Sequence, residues 1–315
     1  MKVKKAVKLA GNILTVLALV LIARRLILMD VDYAFLLRRD RILWILALMI
    51  LYGFHIAAIP YAWCLILRIT TNQKLPFLTV QKVFCKSNLL KYIPGNIFQY
   101  VGRNEIAVMF GLRHRDVALS TVLDVAANVI GVFIVSAVCY AAGFQVGLQS
   151  IGVRLSWPVV LIVLLCAGAA VLILYRKREL YLEWVKGICT RINLIRYGAS
   201  VAHYMFYAVY TGLLYHAILT RVLEVQMDWD TAFLVVGAFL LSWLLGFVMP
   251  GAPGGVGVRE TVIVALLAGY VQTDPVLLAI ILYRIVNTVG DLLAFLGNWV
   301  ACFIKSKRLC RHGDS

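Results

Sequence analysis

Apolar stretches of about 20 residues, the length needed to cross the hydrocarbon core of a bilayer, recur along this chain and constrain its fold more than any other feature. Six segments meet that standard, roughly 7–28, 42–67, 117–142, 157–175, 198–219 and 275–304. The spanning solutions open to such segments are helices, because every backbone amide in hydrocarbon must find its partner within the segment. Composition agrees: of 315 residues, 63% are hydrophobic and only 15% charged, too little polar residue for a soluble domain of this length. The sequence therefore predicts one all-α polytopic transmembrane domain over 1–315.

The formal charge of +16 does not indicate nucleic acid. With the N-terminus inside, 22 of the 31 Lys and Arg fall in cytoplasmic segments, namely 2–8, 68–115, 176–196 and 305–311. That distribution follows the positive-inside rule and predicts a multi-pass protein of the plasma membrane with both termini cytoplasmic. Arg38, Arg39 and Arg41 violate the rule, since they fall in the first outer loop. Lys2, Lys4 and Lys5 ahead of an apolar run would suit a signal peptide, but Arg24-Arg25 follow instead of a small-residue cleavage site. An uncleaved first span is expected. The seven cysteines lie mostly inside apolar runs without any Cys-x-x-Cys pair, and read as small apolar fillers. No metal site or cofactor is expected.

Two regions depart from a plain span. Residues 77–92 are short and carry Lys82, Lys86 and Lys91. Residues 231–248 are apolar enough to cross but run into the loop MPGAPGGVGVRE, followed by the short apolar stretch 261–271. Both read as half-helix, Pro-Gly loop, half-helix: re-entrant hairpins formed at Pro94, Gly95, Pro250, Gly251 and Pro253, which enter and leave on one side. Such backbone is tolerated at membrane depth where protein or water surrounds it. The loops also resemble each other. Arg103 follows Pro94 by nine residues, as Arg259 follows Pro250, and each is followed within two residues by a Glu, Glu105 or Glu260. Asn128 and Gly131 in the following span correspond to Asn287 and Gly290. The sequence thus predicts an inverted repeat of 1–145 and 155–305, each with two spans, a hairpin and a third span, an architecture recurrent among transporters.

The segment from Pro253 to Glu260, Pro-Gly-Gly-x-Gly-x-Arg-Glu, together with KYIPGN earlier in the chain, resembles the lysyl-phosphatidylglycerol synthase transmembrane region, a flippase-like integral membrane family. The resemblance covers nearly the whole chain. It implies movement of a lipid or lipid-linked group between leaflets, and stand-alone relatives are linked to glycan and hopanoid pathways. In the full-length synthases this region precedes a soluble domain that transfers lysine from tRNA to the lipid. This chain stops shortly after its last span, so lysyltransferase activity is not expected.

Charge in hydrocarbon is costly unless paired or wet, yet Arg103, Glu105, Asp124, Arg259, Glu260, Arg284 and Asp291 fall at or near membrane depth. An arginine offers a fork of donors to a phosphate and a carboxylate can hold an amine. Arg259 with Glu260, and Arg103 with Glu105, are therefore candidate headgroup ligands, unless each pair simply closes its own hairpin. Gly254, Gly255 and Gly257 would let backbone N–H groups approach a phosphate at the start of the following helix. Arg284 and Asp291, seven apart, share a helix face and serve either the hairpins or the substrate. Asp124 near Asn128 is either a polar helix contact or a proton carrier. His55, His203 and His216 read as packed or interfacial, and Lys82, Lys86 and Lys91 as facing lipid phosphates at the inner surface.

A lipid translocator is the leading expectation, with membrane lipids as partners. The alternatives are a non-catalytic partner of a lipid-modifying synthase or glycosyltransferase, including one in an aminoacyl-phosphatidylglycerol pathway, and an integral-membrane enzyme acting on a lipid phosphate. No nucleophile–base pair is recognisable, and no catalytic residue is assigned. Without a nucleotide-binding loop, any pumping would draw on an ion gradient or a partner.

Overall fold

A computed structural model describes residues 33–92, 98–147, 190–248, 255 and 257–313. After a single turn at Tyr33–Leu36, the helices are α1 (Arg39–Ala58), α2 (Pro60–Thr71), α3 (Phe77–Asn88), α4 (Phe98–Val108), α5 (His114–Gly147), α6 (Arg191–Ala217), α7 (Trp229–Val248), α8 (Val258–Leu267) and α9 (Thr273–Gly313). A 3₁₀ turn, Leu89–Tyr92, extends α3, and a π turn, Ile218–Val222, ends α6. Among the described residues there is no strand.

Four helical stretches are long and apolar enough to cross a membrane: Arg39–Thr71, His114–Gly143, Trp229–Phe247 and Thr273–Lys305. The first is α1 and α2 joined at Ile59, which keeps helical dihedrals, with Pro60 opening α2. Proline lacks an N–H, so it is accommodated at a helix start and bends a continuous span. The expected spans 42–67, 117–142 and 275–304 fall on α1–α2, α5 and α9. The expected spans 7–28 and 157–175 lie outside the described residues. Large apolar side chains such as Phe54, Phe133, Phe206, Val138 and Trp299 point outward and are exposed, while Arg41, Arg103, Asp124, Glu260 and Asp291 are buried. That inside-out distribution, with the four long apolar helices, marks a helical membrane protein.

The helices flanking the two Pro-Gly loops differ in length. Helices α3, α4 and α8 have 12, 11 and 10 residues, about 15–18 Å at 1.5 Å per residue, half of a hydrocarbon core. Helix α7 has 20 residues, about 30 Å, so it has the length of a full span, as the apolar stretch 231–248 allows. The loop residues Pro94, Gly95, Pro250, Gly251, Pro253 and Gly254 lie outside the described residues.

Packing places the long helices so that a gap remains between them. Helix α5 lies along α6 and α7, and α9 lies along α1 and α3. The first contact is intimate because glycine removes the side chain: a Cβ on Gly237 would sit 2.7 Å from the backbone nitrogen of Tyr140, and one on Gly143 would sit 2.7 Å from backbone atoms of Asp230 and Leu234. Ser136 donates to the Gly237 carbonyl at 3.0 Å at the same crossing. Gly53 and Gly290 do the same for α1 against α9. The aromatic core formed by Tyr215, Phe239 and Tyr283 joins α6, α7 and α9, with Tyr215 stacked on Phe239 at 4.4 Å.

The arginines that broke the charge rule have a local explanation in one case. Arg41 is 1% exposed, donates to the Phe35 carbonyl at 2.7 Å and pairs with Glu224 at 2.7 Å. Glu224 adopts a left-handed conformation after the π turn, which turns the chain into the loop where Asp228 accepts from the Thr231 amide at 3.1 Å and caps α7. The Thr231 hydroxyl and amide hold the Asp228 carboxyl below its ordinary range. Arg41 is thus a structural tie between two loops, its buried guanidinium paired with an exposed glutamate.

Candidate functional site

A cavity of about 560 Å³ lies between the two halves of the chain, within the range that holds small-molecule ligands. Its wall is drawn from α1, the α3 end, α4, α5, α6, α7, α8 and α9. Four cations line it, Lys91, Arg103, Arg259 and Arg284, together with Tyr52, Tyr100, Tyr204, Tyr207 and Trp243. Both arginines singled out next to the Pro-Gly loops therefore reach one space.

Neither is paired with its neighbouring glutamate. Arg103, on α4, donates through Nη1 to Asp124 Oδ2 on α5 at 2.7 Å. Tyr204 donates to the other oxygen of Asp124 at 2.6 Å. The Arg103 guanidinium also lies 4.4 Å from the Phe84 ring centre and 5.0 Å from that of Trp63, in range for a cation–π contact. Trp63 is itself fixed by donating to Ser120 at 3.0 Å. Asp124 is thus an ion-pair partner of the hairpin, and Glu105 is exposed.

In the second half the roles of the charges are exchanged. Glu260 takes the Gly257 N–H at 2.8 Å, capping its own helix, and lies 2.7 Å from Arg284 Nη2 on α9. The hairpin helix supplies the carboxylate and the following long helix the arginine, the reverse of Arg103 and Asp124. Asp291, one face-repeat further along α9, is fully buried and holds three donors: Asn88 at 2.8 Å, Tyr92 at 2.5 Å and Lys91 at 2.5 Å. Lys91 also donates to Asn287 at 3.2 Å. The expectation that Lys91 faces lipid phosphates at the inner surface is therefore corrected: its ammonium turns inward and ties the end of α3 to α9. Arg284 and Asp291 do share a face, but they meet different partners.

Arg259 is left over. Among the described residues no carboxylate lies within ion-pair distance of it, and its buried Nε has no hydrogen-bond partner. It is held by shape. A Cβ on Gly246 would meet its Cγ at 2.6 Å, and one on Gly255 would meet its Nε at 2.8 Å, so the side chain runs in a slot between two glycines. Its guanidinium sits 5.7 Å from the Trp243 ring centre. The anticipated role of the glycines changes accordingly. Gly255, at φ +69°, makes room for the Arg259 side chain, and the Gly257 N–H is taken by Glu260, so the Gly257 amide is not free in this arrangement.

The remaining donors around the cavity share the same bias. The buried Nε atoms of Arg103 and Arg284 also have no acceptor. Among the described lining residues, the only fully buried uncharged acceptor without a donor is Asn128 Oδ1. A site with a surplus of guanidinium donors suits an oxyanion.

Sequence reasoning did not find the tyrosines, Asn88 or Trp243. Tyrosine and tryptophan inside an apolar run have no signature that distinguishes a cavity wall from a core. His55 is packed, as read, between the rings of Tyr207 and Tyr210, each 4.4 Å away, and His203 contacts Tyr61 and Tyr204. Cys64 and Cys85 are buried and free.

The fold and cavity together define a helical membrane protein with a charged internal cavity between its halves. No protein-family model, curated protein or solved structure matched the chain.

Proposed function

We propose that this protein is a flippase-like lipid translocator of the plasma membrane, akin to the lysyl-phosphatidylglycerol synthase transmembrane region, and that the cavity receives a phosphate-bearing headgroup while the acyl chains stay in hydrocarbon. The observation that carries this reading is Arg259, a guanidinium without a carboxylate partner among the described residues, on the wall of a polar cavity inside an otherwise apolar protein. Keeping such a group uncompensated at membrane depth is costly, and an anionic ligand offsets that cost. Two features support an inverted repeat as its frame. Helices α5 and α9 each lie along helices of the opposite half, and the hairpin-to-span ion pairs recur with their charges exchanged. On this reading α3 with α4, and the α7 end with α8, are re-entrant, and both termini are cytoplasmic.

The test is transport by the purified chain in liposomes carrying headgroup-labelled phospholipid, with the label on one leaflet destroyed chemically. Movement well above that of protein-free vesicles is expected. Arg259→Ala should abolish it in folded protein, and Arg259→Lys should restore only part, because an ammonium keeps the charge without the planar fork. Wild-type rates in folded Arg259→Ala would remove the headgroup site, and no movement by any lipid would leave the docking role for a synthase or glycosyltransferase.

A further inference from the structure

The three carboxylates that pair with cavity cations differ in what each would keep if its cation left. Glu260 would keep the Gly257 N–H of its own helix. Asp124 stands on the cavity wall, where water reaches it. Asp291 would keep nothing. Its side chain is 0% exposed and lies behind the wall. Among the described residues its donors are Asn88, Lys91 and Tyr92, all from the end of α3 and its 3₁₀ turn. Those three side chains do line the cavity, so each finds water there once it lets go. The tie thus joins wet donors to a dry acceptor. Nearer its start, α3 is held differently. Gln81 donates to the Ala57 carbonyl of α1 at 2.8 Å and accepts from Asn298 of α9 at 2.8 Å. These contacts are neutral amides, so α3 has an uncharged anchor at its base and an ion pair at its tip.

We infer that Asp291 is a proton-binding site, and that the tip of α3 parts from α9 only as this carboxylate takes up one proton from water. A carboxylate stripped of its partners in a dry site neutralises rather than staying charged. The proton forms an O–H bond on Asp291, Lys91 leaves as an ammonium into the cavity, and no other covalent bond changes. The titratable groups that face Asp291 are Tyr52 of α1, Cys85, Lys91 and Tyr92 of α3 and its turn, Tyr207 of α6, and Tyr283 of its own helix. Lys91 is the one cation among them. Phenols and thiols are uncharged at neutral pH, so none of the others can replace it. The inference rests on the translocator reading for what opening serves, and it deepens that reading by making a proton the ion that gates the cavity.

The experiment is pulsed electron–electron distance measurement on the full-length protein in lipid nanodiscs. Spin labels are placed on cysteines introduced at Lys86 of α3 and Leu296 of α9, both exposed, after the native cysteines are replaced. Opening binds a proton, so the closed tie is complete at high pH and is lost as pH falls. A longer distance should gain population between about pH 8 and about pH 5, the ratio of open to closed rising by up to about 10-fold per pH unit, as one linked proton requires. Asp291→Asn needs no proton and cannot pair with Lys91, so it should be open at every pH. Lys91→Gln weakens the tie but keeps the carboxylate, so its transition should move to higher pH. A distance that ignores pH in the parent protein, or a pH response that survives in Asp291→Asn, would overturn the inference. If Asp291→Asn does not fold, an unmoved transition in Lys91→Gln overturns it instead. The translocator reading is judged separately, by movement in liposomes: proton-linked opening without lipid movement sinks that reading alone, and movement with a pH-insensitive distance sinks this inference alone.

Discussion

The contrast between Glu105 and Glu260 shows how little a residue's neighbours in sequence say about its role. Each follows an arginine closely, yet Glu105 is exposed and Glu260 is 5% exposed, capping α8 and pairing with Arg284. Glu260→Gln should lower stability by about 2–3 kcal/mol, somewhat under the usual loss for breaking a buried pair because Arg284 keeps access to the cavity. Glu105→Gln should change it by less than about 0.5 kcal/mol, as is usual for surface positions. Thermal unfolding in detergent separates the two, and equal shifts would contradict the assignment. Arg103 and Asp124 are both nearly inaccessible, so Asp124→Asn should cost about 3–5 kcal/mol, and Arg103→Leu combined with Asp124→Leu should recover much of it. A double variant no more stable than Asp124→Asn would mean that the pair does more than cancel its own charge.

At the scale of elements, glycine decides which helices may touch. On α7, Gly237 lets the α5 backbone approach at Tyr140, and the opposing obstacle is backbone that cannot rotate away. Gly237→Ala should therefore destabilise by about 1–3 kcal/mol, the cost of overpacking a tight contact. Gly297 on α9 faces open space, and Gly297→Ala should leave stability unchanged or raise it by up to about 1 kcal/mol through helix propensity. The opposite ordering of the two melting temperatures would refute the close approach of α5 and α7. The same close contacts bear on motion. With α5 bound tightly to α7, and α1 to α9, the softer boundary runs through the cavity, where ion pairs and tyrosine hydroxyls replace interlocked backbones.

For the molecule as a whole, the charge asymmetry and the positions of the loops make a sidedness prediction. Lys74, in the exposed turn after α2, and Gln226, in the exposed loop before α7, should face opposite sides of the membrane, with Lys74 in the cytoplasm. Single cysteines introduced at these positions, labelled in intact cells with a membrane-impermeant maleimide, should react at 226 and remain unlabelled at 74 until the membrane is permeabilised. Reaction of both in intact cells would overturn the orientation.

The helical membrane class was legible in the sequence because a span is a local property: about 20 apolar residues must satisfy their own backbone, whatever the rest of the chain does. The apolar stretches that form α1–α2, α5 and α9 needed no partner to be recognised. The prominence of Arg103 and Arg259 was legible for a similar reason, since charge beside a Pro-Gly loop in an apolar protein is costly wherever it lies. Pairing was not legible. That Arg103 meets Asp124, that Glu260 meets Arg284 and that Lys91 turns inward to Asp291 depend on crossings between helices far apart in the chain. Coulomb attraction acts through distance in space, which sequence spacing does not encode beyond one helix. The length of α7 was legible from its apolar stretch, because a Pro-Gly loop signals where a helix ends and the apolar run before it shows how far it extends. Only the tertiary structure left Arg259 without a carboxylate among the described residues, because an unpaired charge is defined by the positions of the other charges around it.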